Sequence, residues 1–157
     1  MILVNQTRIP TKVLRNALTF AASSIKCNHK GIVARVSTGL YGSGMARFSP
    51  YAIVGKRLIL TRGAWITIVA PLRRIQAGTH IDIARKIIKL AAHEFQHCID
   101  REAKLPFDRN KRWEQRPQEK RAIAAEKRIV TLLESTDRGR KILEELSECV
   151  KTYGENQ

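Results

Sequence analysis

A long run of apolar residues that recur every three or four positions constrains the fold more than any other feature of this sequence. The run begins near Thr79 and continues to about Ile99, and its central stripe is formed by Ile83, Ile87, Ala91, Phe95 and Cys98. That spacing places the side chains on one face of an α-helix. Because such a face must be covered by other elements, we predict a long helix whose stripe is buried.

The rest of the chain divides into strand-like segments followed by helical ones. Short β-branched or apolar runs predict strands, and a glycine-rich turn at 38–44 lets the third strand pair back on the second as a hairpin; the strands are residues 1–4, 31–37, 45–48, 56–61 and 64–70. Helical spacing predicts helices at Thr11–Ser24, at residues 117–134 and in a last stretch that Gly154 would end. With 157 residues and 43% apolar content, the chain suits an α+β fold in one domain, residues 1–157.

Charge is distributed very unevenly along the chain. Lys and Arg number 29 against 14 acids, for a net charge of +15. All 14 acids lie after Ile81, whereas residues 1–81 hold 12 of the basic residues. An acid-free basic half would attract a polyanion such as nucleic acid. The alternative is a surface charged only for solubility. The neighbouring aromatics, Tyr41, Phe48, Tyr51 and Trp65, could stack on bases or fill the core.

We expect neither a targeting signal nor a disulfide framework in this chain. No apolar run approaches the ~20 residues that span a bilayer, and the first residues lack the pattern of a secretion leader. The three cysteines, Cys27, Cys98 and Cys149, are far apart and odd in number. We therefore expect reduced thiols, a cytoplasmic location and no membrane partner.

Residues 93–97 read His-Glu-Phe-Gln-His and lie on the predicted long helix. His93 and His97 are four positions apart, so their rings stack on one face and can converge on a tetrahedral zinc ion at about 2.0 to 2.1 Å. Glu94 lies about 100° around the helix, where it can serve as the general base for a water at the metal. The pattern predicts a zinc-dependent hydrolase, and a chance match of three polar residues is the alternative.

A hydrolytic zinc site needs a third protein ligand, and spacing alone does not identify it. Position 103, where a third histidine could follow, is Ala103. His80 would lie roughly 20 Å away along one helix, and a lone His29 in a loop is usually only solvated. The remaining candidates are the carboxylates after the motif: Asp100, Glu102, Glu114, Glu119 and Glu126.

The two histidines with Glu94, followed by residues 116–122 (Arg-Pro-Gln-Glu-Lys-Arg-Ala), resemble the gluzincin-type zinc metallopeptidases, in particular their short members. The resemblance implies one Zn²⁺, a peptide or protein substrate, Glu94 as catalytic base and Glu119 as third ligand, with Glu126 as second choice. It also implies a small, twisted, mainly antiparallel sheet packed on an N-terminal helix and the active-site helix, followed by C-terminal helices. Where larger gluzincins often have an aspartate, this chain has Ile123, so Asp100 becomes the candidate to support a ligand histidine.

Two further expectations concern binding. The family layout makes Trp65, Ile66, Thr67 and Ile68 an edge strand that would pair with an extended peptide, although an ordinary core strand fits the pattern equally well. The oxyanion-stabilising residue stays open among Tyr51, His80, Arg116 and Tyr153. An alternative function is a basic nucleic-acid-binding or assembly protein with a structural or vestigial metal, or a protease recruited to nucleic acid.

Overall fold

The computed structural model of the chain describes residues 1–48, 51–54, 57–60, 64–74, 79–108 and 110–155. These residues form four α-helices, six strands and two short 3-10 helices (Leu72–Arg74 and Trp113–Gln115). The predicted α+β class is confirmed. The predictions made for Lys56, Thr61 and the side chain of Tyr51 lie outside the described part of the chain.

The helices follow the apolar spacing of the sequence closely. They are α1 (Thr11–Ser24), α2 (His80–Glu102), α3 (Pro117–Ser135) and α4 (Asp137–Glu155). Pro117 begins α3, as suits a residue whose missing N–H would be unpaired in the first helical turn. The expected stop at Gly154 is wrong, since α4 continues through that residue to Glu155.

The main sheet is mixed, and its strand order differs from the expectation. The strands are β1 (Ile2–Asn5), β2 (Val33–Thr38), β3 (Ser43–Arg47), β4 (Tyr51–Val54), β5 (Arg57–Leu60) and β6 (Trp65–Ala70). Four of them form a sheet in the order β1-β2-β6-β3, in which β1 and β6 lie parallel to β2 and β3 lies antiparallel to β6. The prediction of a mainly antiparallel sheet is therefore wrong for this sheet. The only antiparallel hairpin between consecutive strands in the described residues is β4–β5.

The predicted hairpin between the second and third strands is also wrong, because β3 pairs with β6 and leaves β2 to β1 and β6. Consequently β6 is an interior strand, whereas β3 is an edge of the four-stranded sheet. The expectation that residues 65–68 form a peptide-binding edge is thus overturned. The residue pattern of a single strand cannot predict this order. Its alternation of residues is the same whether the neighbouring strand comes from near or far along the chain.

The core lies between one face of this sheet and the helices. Alternate residues of the two central strands point inward and are fully buried: Ala34, Val36, Ile66 and Ile68. The stripe on α2 faces them, and α2 also packs against α1, α3 and α4. Because α2 touches every other helix and the sheet, its polar residues near His93 are enclosed on several sides. No helix in the described residues is long and apolar enough to cross a membrane.

Candidate metal centre

Two helices bring three metal-ligating side chains together. His93 and His97 project from successive turns of α2, and Glu119 comes from the first turn of α3. The Oε2 atom of Glu119 lies 3.3 Å from Nε2 of His93 and 3.7 Å from Nε2 of His97. One ligand atom from each residue lies within 4.8 Å of the other two. These three residues therefore form a group that could hold a metal ion.

The hydrogen bonding of Glu119 supports that assignment. Its side chain is buried, and Oε2 has no hydrogen-bond partner among the described residues. A buried carboxylate oxygen without a donor is costly, and most such atoms in folded proteins are paired. A cation between Glu119 and the two imidazoles would supply the missing partner. The residues present therefore fit a metal ion.

Glu126 holds the ring of His93 from the other side. Its Oε1 lies 2.8 Å from Nδ1 of His93, and its Oε2 lies 3.2 Å from Nζ of Lys89. A proton on Nδ1, donated to Glu126, leaves Nε2 free to face Glu119 and a metal. Glu126, the second choice for third ligand, lies two turns beyond Glu119 on α3 and contacts Nδ1 of His93 instead. The spacing of residues in the sequence did not predict that Glu126 would contact Nδ1 of His93.

These charges shift the pKa values of both partners. Burial opposes ionisation of His93, but the hydrogen bond that its Nδ1–H donates to Glu126 and the negative charge of the nearby carboxylates outweigh burial, so the pKa of His93 is raised. Burial alone would raise the pKa of Glu126, yet the hydrogen bonds that its carboxylate accepts from His93 and Lys89 lower it. The Glu126 carboxylate is therefore kept ionised beside the imidazole.

Asp100 does not support a ligand histidine, so that prediction is wrong. The Asp100 side chain is fully buried and accepts hydrogen bonds from Nε2 of Gln96 at 2.8 Å and from Nε of Arg121 at 2.9 Å. It lies one turn beyond His97 on α2, yet Nδ1 of His97 is buried and has no hydrogen-bond partner in the part of the chain that the structure describes. Asp100 instead ties α2 to α3, because Arg121 reaches it from the neighbouring helix.

Glu94 points toward the edge strand β3. A Cβ atom added to Gly44 of that strand would lie 2.4 Å from Oε1 of Glu94, so only glycine leaves room for the carboxylate. Burial raises the pKa of Glu94 to about 7, although the charge of His93 and a hydrogen bond from the Ala46 backbone act against it. A carboxylate with such a pKa can accept and return a proton near neutral pH.

Two aromatic residues that the sequence did not predict at the site, Trp113 and Phe107, lie beside the histidines, and Phe48 lies against Phe107. The Trp113 ring is parallel to that of His93, with centroids 6.5 Å apart. Phe107 lies 6.1 Å from the ring of His97 and 6.0 Å from the ring of Phe48. The sequence could have indicated Phe107 and Trp113, because they and Leu105 are large apolar residues in an otherwise charged connection between α2 and α3.

The predicted substrate strand lies elsewhere. Ile66 and Ile68 are buried in the core, and β6 is hydrogen-bonded on both sides. Trp65 lies on the opposite face of the sheet, with the guanidinium groups of Arg35 and Arg47 each 5.5 Å from its ring centroid. Residues 65–68 therefore lie in an interior strand whose two edges are already paired with β2 and β3.

Comparisons with protein-family models, with curated proteins and with solved structures found no match to this chain. The resemblance to gluzincins therefore stays a prediction from the two motifs.

Proposed function

We propose that the protein is a zinc-dependent hydrolase of peptide bonds. The observation that carries the proposal is the convergence of His93, His97 and Glu119 with Glu94 beside them. Atoms that bind a tetrahedral zinc ion at about 2.0 to 2.1 Å are about 3.4 Å from one another. The separations of 3.3 and 3.7 Å between Glu119 and the two histidines are close to that value. Two imidazoles and one carboxylate leave one position open, as catalytic zinc sites require.

In this proposal the two histidines and Glu119 hold the ion, and Glu94 handles the proton. A bound zinc supplies a Lewis acid, which makes a water more acidic and polarises a carbonyl oxygen. Glu94 takes the proton from the attacking water and returns it to the leaving amine. Its pKa of about 7 suits both transfers. Glu126 keeps the ring of His93 in the orientation that ligation needs.

The edge strand β3 is the proposed place for an extended substrate. In the described residues β3 pairs with β6 alone, and its side chains alternate between exposed and half-buried. An extended peptide can add to such an edge through main-chain hydrogen bonds. Because Gly44 and Ala46 contact Glu94, a peptide on β3 would have its main chain close to the proposed base.

Metal analysis combined with a peptide-library digest tests this proposal. The purified protein should hold one zinc per chain, and Glu119→Ala should hold far less. Glu114→Ala is the matched control, because Glu114 is an exposed glutamate five residues earlier. Glu94→Gln should keep its zinc but cleave at least about a hundredfold more slowly. Equal cleavage by Glu94→Gln and the parent, or equal zinc in Glu119→Ala and Glu114→Ala, would refute the proposal.

Nucleic-acid binding is the second candidate function, and the outer face of the sheet favours it. Arg35 and Arg47 flank Trp65 there, and residues 1–81 contain no acid. Phosphates would contact the guanidinium groups, and the affinity would then fall steeply with salt. A salt series with single-stranded and duplex DNA tests this. Weak binding that does not change with salt, or that is unchanged in Arg47→Ala, would rule it out.

A further inference from the structure

Phe48, Phe107 and Trp113, which we call the aromatic shelf, leave much apolar surface in contact with solvent. Phe107 is 38% exposed and Trp113 is 48% exposed, and Leu105, two residues before Phe107, is 37% exposed. Single exposed apolar residues are common in proteins, but a cluster of large ones marks a binding surface more often than chance. This cluster borders both ligand histidines. Its position therefore points to a ligand of the same site.

The connection that carries Phe107 is held in place by buried polar groups. The buried side chain of Gln118 accepts a hydrogen bond from the backbone N–H of Asp108 and donates one to its carbonyl oxygen, at 3.2 and 3.1 Å. Leu105 N–H donates to the Asp100 carbonyl at 2.8 Å. These hydrogen bonds hold the backbone beside Phe107 in place. Less conformational entropy of the protein is therefore lost when a ligand binds to the ring.

The shelf also lies at one end of the proposed substrate strand. Phe48 directly follows Arg47, the last residue of β3, and it makes an edge-to-face contact with Phe107. A peptide paired with β3 and presenting a carbonyl to Glu94 would therefore carry neighbouring side chains toward these rings. An aromatic ring is stabilised by a second ring whose centroid lies about 4.5 to 7 Å away, and large apolar groups also gain from burial against it.

We infer that the aromatic shelf binds a large apolar side chain next to the scissile bond and so selects the substrate. This inference depends on the proposed peptidase function. It assigns Phe107 and Trp113 to specificity, whereas Glu94 and the three ligands act on the reacting atoms. The guanidinium of Arg101 lies over the Phe48 ring, 5.7 Å from its centroid.

Two small hydroxamates, which bind zinc through the same group, test the inference without requiring turnover. Phenylalanine hydroxamate and glycine hydroxamate differ by one benzyl group, and calorimetry on the zinc-loaded protein measures both affinities. We expect phenylalanine hydroxamate to bind at least about tenfold more tightly, since burying a ring of that size is favourable. Phe107→Ala and Trp113→Ala should each reduce this ratio to about threefold or less, and because the ratio is taken within one variant, a change in the zinc site that affects both hydroxamates cancels.

Tyr41→Ala is the matched control, because Tyr41 is an exposed aromatic residue that precedes β3 at its other end. Its affinity ratio should equal that of the parent. Equal affinities for the two hydroxamates in the zinc-loaded parent, or a ratio unchanged in both shelf variants, would overturn the shelf alone. Protein that binds no zinc would overturn the proposed function, and the shelf with it.

Discussion

A methyl group placed at Gly44 should disable Glu94 while leaving the metal ligands intact. The backbone of Gly44 lies in β3, in a conformation that alanine also adopts, so the effect of Gly44→Ala is steric. The new Cβ atom would lie 2.4 Å from Oε1 of Glu94, and 2.8 and 2.9 Å from its Cγ and Cδ. An ordinary contact begins at 3.4 Å, so the carboxylate or the strand must move by about 1 Å.

The expected cost follows from that displacement. A misplacement of about 1 Å at a reacting group can lower a rate about a hundredfold, which corresponds to about 2.7 kcal/mol of activation free energy. Glu94 is buried between β3 and α2, so it has little space in which to relax. We therefore expect kcat/KM to fall about a hundredfold. The zinc content should stay at one per chain, because Gly44 has its close contacts with Glu94 rather than with a ligand.

The assay uses the best peptide from the library digest, with kcat/KM measured for the parent, Gly44→Ala and Gly42→Ala. Gly42 is the matched control, since a Cβ atom there would meet the flexible side chains of Lys86 and Leu90 at 3.1 to 3.3 Å. Its rate should stay within about threefold of the parent. A Gly44→Ala variant that cleaves at the parental rate, or one that loses zinc along with activity, would show that the reasoning about Glu94 is wrong.

Three other predictions concern the groups around the ligands. Glu126→Gln should weaken zinc binding about 10- to 100-fold in a chelator competition, whereas Glu134→Gln, a change of an exposed residue on the same helix, should not. Equal losses of affinity in the two variants would argue against Glu126 as the group that orients His93. Zinc affinity should fall as the pH drops, because the pKa of His93 is raised and a proton then competes for its ring; an affinity that is constant from about pH 8 to about pH 5 would contradict this. Asp100→Ala should lower the free energy of unfolding of the zinc-free protein by about 2 to 3 kcal/mol in a denaturant titration, because it leaves two hydrogen-bond donors unpaired; unchanged stability would count against its tie between α2 and α3.

Local spacing was sufficient for the helices and for part of the site. Residues four apart on a helix share a face whatever surrounds them, so the sequence alone placed His93 and His97 together on α2. Apolar periodicity likewise predicted Thr11–Ser24, and the preference of proline for the first helical position predicted the start of α3 at Pro117. These features depend on contacts within a few residues, which the sequence displays directly.

Sheet order and the partners of each buried charge depend on contacts between distant segments. The strand-like pattern of residues 64–70 was correct, but only the folded chain decided that β6 lies inside the sheet and that β3 forms its edge. The choice between Glu119 and Glu126 could not come from spacing, because both lie on α3 within reach of α2. Packing of α3 against α2 turned Glu119 toward both imidazole Nε2 atoms and Glu126 toward Nδ1 of His93.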